Sequence, residues 1–364
     1  MRAKAAKSPN VCSDIMEPTD LGEKQSAKPT ASPRLTASDL PDFHAVLAAR
    51  KRLAGQIYHP PIIRHAALDS HIGARIHIQA ECLQITGSFK IRGALNRIAQ
   101  ITREKDRQAG VVAFSSGNHA QGIARAARLY DMPALIVMPE DAPAIKRDGV
   151  IADGAEIYAY DRTGQSREAI AAKIAKARGA TLIPSYDDRD IIAGQGTAAL
   201  DFLDQLSLDG ITLDHYICCA GGGGLLAGAS LCFTAKSPTT RLWSAEPEGY
   251  DDHRLSFEAG EIRPIQAHPP SLCDAILTPQ PGYLTFAINQ AYVSGGFTVS
   301  EAQAKAAMRF AFQHLKLVVE PGGAVALAAA LFALPETMRG QDIGLILSGG
   351  NVDPELFANV LTSV

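Results

Sequence analysis

Apolar residues along the chain keep two rhythms, one of helical and one of strand period. Phe43, Val46, Leu47 and Leu53 recur at helical spacing and predict a helix over residues 37–53. Residues 75–80 alternate as a strand does and lead into a turn at Gly87 and Ser88, after which Ile91, Ala94, Leu95 and Ile98 mark a second helix. From residue 110 the alternation is regular. Strands over 110–114, 134–139, 156–160 and 181–184 are separated by helical runs through Leu129, over 144–151 and over 166–178. It resumes with a helix over 196–206, strands over 215–219 and 241–246, helices over 301–316 and 325–334, and a last strand over 342–347. Strand and helix taken in turn call for parallel strands with crossover helices.

The expected fold is therefore α/β, with two open α/β domains. Residues 36–107 and 188–364 make the larger and residues 108–187 the smaller. A chain of 364 residues is also long for one core. Residues 1–35, rich in Lys, Ala, Ser, Pro and Thr without periodicity, are expected to be a disordered arm. The 11 residues after Asp353 are too few for an appended regulatory domain, so none is expected.

Composition narrows the function classes. With 46% apolar and 20% charged residues and a net charge of −3, the chain reads as an ordinary globular protein and not as a nucleic-acid binder. No apolar stretch reaches membrane-spanning length, so no membrane partner is expected. The six cysteines have no metal-ligand spacing and several lie in apolar runs; reduced thiols in a cytoplasmic protein are the expectation.

Lys90 stands out against this background. A lysine is ordinarily a solvated charge. With Gly87 and Ser88 read as turn and N-cap, however, Lys90 falls in the first turn of a helix, where the macrodipole disfavours another positive charge. An amine held there beside Phe89 would have a lowered pKa and could form a Schiff base with an aldehyde. Gly221, Gly222, Gly223 and Gly224 lie 131 residues on, between an apolar strand and an apolar helix. By itself such a turn could be a tight strand-to-helix corner, but its amides and the helix dipole also suit a phosphate. It is neither a dinucleotide fingerprint nor a P-loop.

Ser88-Phe89-Lys90 with Arg92-Gly93-Ala94 resembles the cofactor-lysine motif of the fold-type II pyridoxal-phosphate enzymes, in the tryptophan synthase beta-like superfamily. Within them the chain is most similar to the threonine/serine dehydratase and serine racemase family, from about residue 55 to residue 353. The resemblance implies pyridoxal 5'-phosphate in a cleft between the two domains, linked to Lys90. It implies a phosphate site at Gly221 to Gly224 and Leu225, and Asn118 on the ring oxygen. It places Ser348 at the pyridine nitrogen, and Ser115, Ser116, His119 and Arg167 around the substrate. Ser116 matches a serine facing Cα opposite the lysine, and Arg167 an arginine that closes on the substrate or on a second carboxylate. Read alone, Ser115 to His119 could be a helix start, Arg167 a solvated charge and Ser348 a turn residue. Glu246, Tyr250 and Asp252 match the family's divalent-cation site for Mg2+ or Ca2+, although acids in a loop are usually just solvated. A homodimer is implied as well.

These roles imply a dehydratase (ammonia-lyase) that converts L-threonine or L-serine to a 2-oxo acid and ammonia, with Lys90 as the base at Cα. A neutral hydroxyl at the ring nitrogen favours expulsion of a β-substituent. The alternatives on the same site are a serine racemase, compatible with Ser116, and a 3-hydroxyaspartate dehydratase, compatible with Arg167. A non-catalytic module for a phosphorylated metabolite would need only the glycines. One departure touches the substrate side: Cys273-Asp274-Ala275 stands where the family usually has Ala-Asp-Gly.

Overall fold

The computed structural model describes residues 35–266 and 269–363. All but the last residue of the expected arm, residues 1–35, lies outside them. Ten strands form two sheets. In chain order they are β1 (Ile62–Ile63), β2 (Arg75–Gln79), β3 (Val111–Phe114), β4 (Ala134–Pro139) and β5 (Glu156–Tyr160). Then come β6 (Thr181–Leu182), β7 (His215–Cys219), β8 (Arg241–Pro247), β9 (Val293–Val299) and β10 (Asp342–Ile346). The larger sheet has the order β1-β2-β10-β7-β8-β9 and the smaller β5-β4-β3-β6. All pairs are parallel except β1 with β2. Parallel strands are buried on both faces, as the unbroken apolar runs of β4 and β7 require.

Several elements depart from the apolar rhythm, each for a local reason. The first helix begins at Phe43, because Asp42 caps it by accepting from the amide of Ala45 at 2.9 Å. The helix expected over 196–206 is Arg189–Leu208, capped by Asp188. Its glycines hid the first turns, yet they are what lets it pack. A Cβ on Gly194 would stand 2.6 Å from Gly93 Cα, and one on Gly228 would stand 2.4 Å from Gly196 N. The run over 301–316 is α-helical over Glu301–Phe310 and then a π turn, Ala311–Leu315, closed by Lys316 at φ +60°. Strand β9 is broken in pattern by Gly295 and Gly296 and was not expected. Nor were the helices Ala66–Ile72, Glu104–Ala109, Asp252–Ala259, Tyr283–Tyr292 and Pro354–Thr362.

The helix Lys90–Ile98 is anchored by a buried charge. Arg92, wholly buried, meets Glu81 through two nitrogens at 2.9 and 2.7 Å and Asp201 at 2.8 Å, with Thr197 at 3.2 Å. The lysine helix is thereby tied to the turn after β2 and to the long helix Arg189–Leu208. Among the described residues no helix is long and apolar enough to cross a membrane. Cys82, Cys218, Cys219, Cys232 and Cys273 are unpaired, buried thiols.

Candidate active site

One cavity opens at the C-terminal ends of β3, β7 and β10, where parallel sheets usually hold ligands. Lys90 enters it from the first residue of its helix. Ser88 is not the N-cap. Its backbone is extended and bridges Gly349, while the amide of Phe89 donates to the Ser348 carbonyl at 3.1 Å. That bridge sets Lys90 beside the end of β10 and brings Ser348 into the same cavity. The Lys90 ammonium lies 5.2 Å from the Phe89 ring centroid, and Nζ donates to the Ser185 carbonyl at 3.1 Å. Desolvation pushes its pKa down to about 8, against the opposing pull of Cys219 and Glu320.

The glycines after β7 line the opposite wall. Gly223 has φ +90°, which a side chain would strain, and the helix Gly224–Lys236 starts directly after it. The loop has no room for side chains: a Cβ on Gly222 would fall 2.2 Å from the Tyr186 ring, and one on Gly223 would fall 2.5 Å from His253. Its carbonyls are pinned away from the cavity. Thr285 Oγ1 donates to Gly222 O at 2.6 Å, and Asn289 Nδ2 to Gly223 O at 3.3 Å. A glycine turn at a helix N-terminus, with its carbonyls engaged elsewhere, is suited to an anion.

Between these walls runs the segment Ser115 to His119, which leads from β3 into the helix Asn118–Leu129. Gly117, not a serine, occupies the N-cap, and Ser115 Oγ accepts from its amide at 3.1 Å. Asn118 is buried and held on both sides: Nδ2 donates to Glu320, and Oδ1 accepts from Asn351 at 2.8 Å. His119 is buried with Nε2 3.3 Å from Ile183 O, and desolvation together with the Lys90 charge drops its pKa to about 3. The ring is therefore neutral, donates to that carbonyl, and turns an acceptor, Nδ1, to its other side. Arg167, first residue of the helix Arg167–Arg178, lines the cavity with its guanidinium 5.7 Å from the Phe114 ring centroid. Its Nε donates to Glu168 at 2.8 Å.

Lys90, Phe89, Ser115, Ser116, Asn118, His119, Arg167, the four glycines, Leu225 and Ser348 thus share one cavity. Asp274 and Ala275 lie on it too. Glu246, Tyr250 and Asp252 lie apart, at the end of β8. Glu246 accepts from the amides of His253 at 2.8 Å and Arg254 at 3.0 Å, and the Tyr250 hydroxyl donates to Pro269 O at 3.0 Å. Asp252 is buried with neither oxygen hydrogen-bonded, and desolvation raises its pKa to about 8. Among the described residues no three His, Cys, Asp or Glu side chains are grouped to hold a metal. Sequence reasoning missed Ser185, Tyr186, Thr285, Asn289, Lys146 and Glu320. Ser185 and Tyr186 closely follow a strand of the regular array, but nothing in the local pattern singles out any of the six.

The residues present fit pyridoxal phosphate: a desolvated amine for its aldehyde and a side-chain-free cradle for its phosphate stand in one cavity. The family described as pyridoxal-phosphate dependent enzyme matches residues 53–349. An L-threo-3-hydroxyaspartate ammonia-lyase of Pseudomonas sp is 46% identical over 88% of this chain and 99% of its own. The Saccharomyces cerevisiae enzyme of the same name is 40% identical over 89% of this chain and 97% of its own. The solved structure of maize serine racemase superposes with a TM-score of 0.82 at 34% identity, over 88% of this chain and 96% of that one. The two ammonia-lyases fit the 3-hydroxyaspartate alternative, and the racemase the serine racemase one, better than they fit a threonine or serine dehydratase. The chain belongs to the pyridoxal-phosphate-dependent enzyme family, and its fold is the fold-type II one.

Proposed function

We propose that the protein is a 3-hydroxyaspartate ammonia-lyase, removing water across Cα and Cβ so that the product hydrolyses to oxaloacetate and ammonia. The observation that carries the reading is Arg167 at the cavity wall, a permanent cation for the second carboxylate that serine and threonine lack. Close relatives of the same printed activity support it.

Bound in the cavity, the cofactor supplies an electron sink for the carbanion at Cα. Lys90 Nζ takes the Cα proton; its lowered pKa leaves a useful fraction of neutral amine near pH 7.5. Ser116, on the same cavity, would meet Cα from the face opposite Lys90. The Ser115 amide is given to Val137 O and the Gly117 amide to Ser115 Oγ. The α-carboxylate would therefore be taken by the backbone amides of Ser116, Asn118 and His119 with the Ser115 hydroxyl beside them; His119 contributes through its amide, since its free ring nitrogen is an acceptor. The amides of Gly221 to Leu225 would hold the phosphate, Asn118 would meet the ring oxygen, and Ser348 would meet the ring nitrogen with a neutral hydroxyl. A site with so many neutral donors depends on Arg167 for dicarboxylate selectivity. The two-domain reading, with residues 108–187 as the mobile part, gives Arg167 a means of closing over the substrate.

A divalent cation, Mg2+ or Ca2+, at Glu246, the Tyr250 carbonyl and Asp252 also belongs to the proposal. Two neighbouring buried carboxyls with raised pKa values, one of them lacking any hydrogen-bond partner, fit a site that a hard cation completes. The cation's part is structural, holding the end of β8 behind the phosphate loop. A homodimer in the cytoplasm is the accompanying expectation.

Product analysis tests the activity. Equal amounts of oxaloacetate and ammonia from L-threo-3-hydroxyaspartate are expected, and no 2-oxo acid from that substrate would reject it.

A further inference from the structure

One charged cluster is buried behind the cavity and has no role above. Lys146, on the helix Ala144–Ala152, is 1% exposed, with Nζ 2.7 Å from Asp274 Oδ2 and 3.1 Å from Glu320 Oε2. Glu320, equally buried, accepts from Asn118 Nδ2. Asn118 Oδ1 accepts from Asn351 Nδ2 at 2.8 Å, and the same Asn351 nitrogen donates to Thr86 O at 2.7 Å.

The donor and acceptor inventory leaves these amides one consistent orientation. The Thr86 carbonyl only accepts, so Asn351 turns its nitrogen toward it and offers Asn118 a donor. Asn118 answers with its oxygen, and its nitrogen meets Glu320. An ionised carboxylate only accepts, so one Asn118 N–H goes to Glu320 and the second remains for the cavity. A protonated Glu320 would offer Asn118 either its O–H or its carbonyl oxygen, so that side would no longer dictate which way the amide faces and Asn351 alone would hold it.

Burial and the Asp274 charge push Glu320 toward its neutral form, and Lys146 opposes them. Lys146 itself stays charged, its pKa raised to about 12 by Glu320 and Asp274 despite desolvation. We propose that Lys146 is a positioning residue for the cofactor: by keeping Glu320 a carboxylate, it locks the Asn118 amide with one N–H aimed at the ring oxygen. This deepens the reading of the site above and rests on Asn118 being the ring-oxygen partner.

Titration of the apoprotein with pyridoxal phosphate, followed by absorbance, tests it in Lys146→Met, in Glu320→Gln and in the double variant. Lys146→Met is expected to bind about five-fold or more weaker, the worth of one loosened hydrogen bond, and to shift the visible band of the bound cofactor. Glu320→Gln, which like a protonated carboxyl offers Asn118 either a donor or an acceptor, is expected to lose about as much, and the double variant no more than about two-fold beyond it. Wild-type affinity and spectrum in Lys146→Met would overturn the proposal. A Lys146→Met loss that recurs in full on top of Glu320→Gln would do so too, since packing would then explain it. Should Lys146→Met not fold, Glu320→Gln still decides: weakened binding supports the proposal and wild-type binding rejects it. Asn118→Ala separates the two levels. Unchanged binding there rejects the underlying assignment, whereas weakened binding beside an unchanged Lys146→Met rejects only the role of Lys146.

Discussion

Lys90 Nζ donates a 3.1 Å hydrogen bond to the carbonyl of Ser185, and this contact joins the two halves of the site. Ser185 is followed by Tyr186, whose ring fills the space that a side chain on Gly222 would need. Lys90 and the glycine turn, 131 residues apart in sequence, thus both meet the same short segment after β6.

The amine's environment sets its pH dependence. With its pKa lowered to about 8, Lys90 is mostly protonated and unreactive below that pH and neutral above it. Capture of pyridoxal phosphate by the apoprotein, trapped with borohydride, should accelerate as pH rises with a midpoint near 8. A midpoint above 10, as for a solvated lysine, would contradict this environment.

Arg92 carries the helix that presents Lys90, and it does so with both partners buried. Arg92→Met strands Glu81 at 0% exposure and leaves Asp201, at 8%, to His59 Nδ1 at 3.0 Å. Breaking such a pair should cost about 3–5 kcal/mol of folding stability. Urea denaturation of the two proteins measures it, and a loss under about 1 kcal/mol would show the network to be dispensable.

Asp252 gives the cation site a readout separate from activity. Its folded-state pKa, about 8, lies above the ordinary carboxylate value, so without a cation the folded state retains a proton that the unfolded state releases. Stability should therefore fall as pH rises from about 4 toward 8. Mg2+ or Ca2+ should raise Tm most at the alkaline end of that range, and Asp252→Asn should abolish the effect. A Tm that ignores both ions in the wild type would remove the metal from the account.

Arg167 is the predicted discriminator. Arg167→Ala should lower kcat/KM on 3-hydroxyaspartate by about 10- to 100-fold, the worth of a charge-assisted pair, and change that on L-serine far less. Equal losses on both substrates would assign Arg167 to general positioning.

How much of this was legible in the sequence depended on whether a residue acts through its neighbours in the chain. Strands β4, β5 and β7 match their expected bounds, β4 and β7 because they are buried along their whole length, and the edge strand β5 because turn residues bound it on both sides. Lys90 and the glycines were visible because each sits in a distinctive local context, and the two together suit one ligand although the glycine turn alone could be a tight corner. Strand β9 and the start of the long helix were hidden by glycines that pack closely on distant residues, on the side chains of Trp243 and Ser244 in β9 and on neighbouring helix backbone in the long helix. Tyr186, Thr285, Asn289 and Glu320 could not be found from local pattern. Each acts on a residue at least 36 positions away (186 to 222, 285 to 222, 289 to 223, 320 to 118), and nothing beside it in the chain announces the partner. The reading of Ser88 as N-cap failed for the same reason: its partner, Gly349, is remote.

The most direct test is the ratio of kcat/KM for L-threo-3-hydroxyaspartate to that for L-serine and L-threonine, measured on the wild-type holoenzyme by 2-oxo acid release. A preference for the dicarboxylate of about 100-fold is predicted, the upper worth of one charge-assisted contact. Equal or faster turnover of either monocarboxylate would contradict the account.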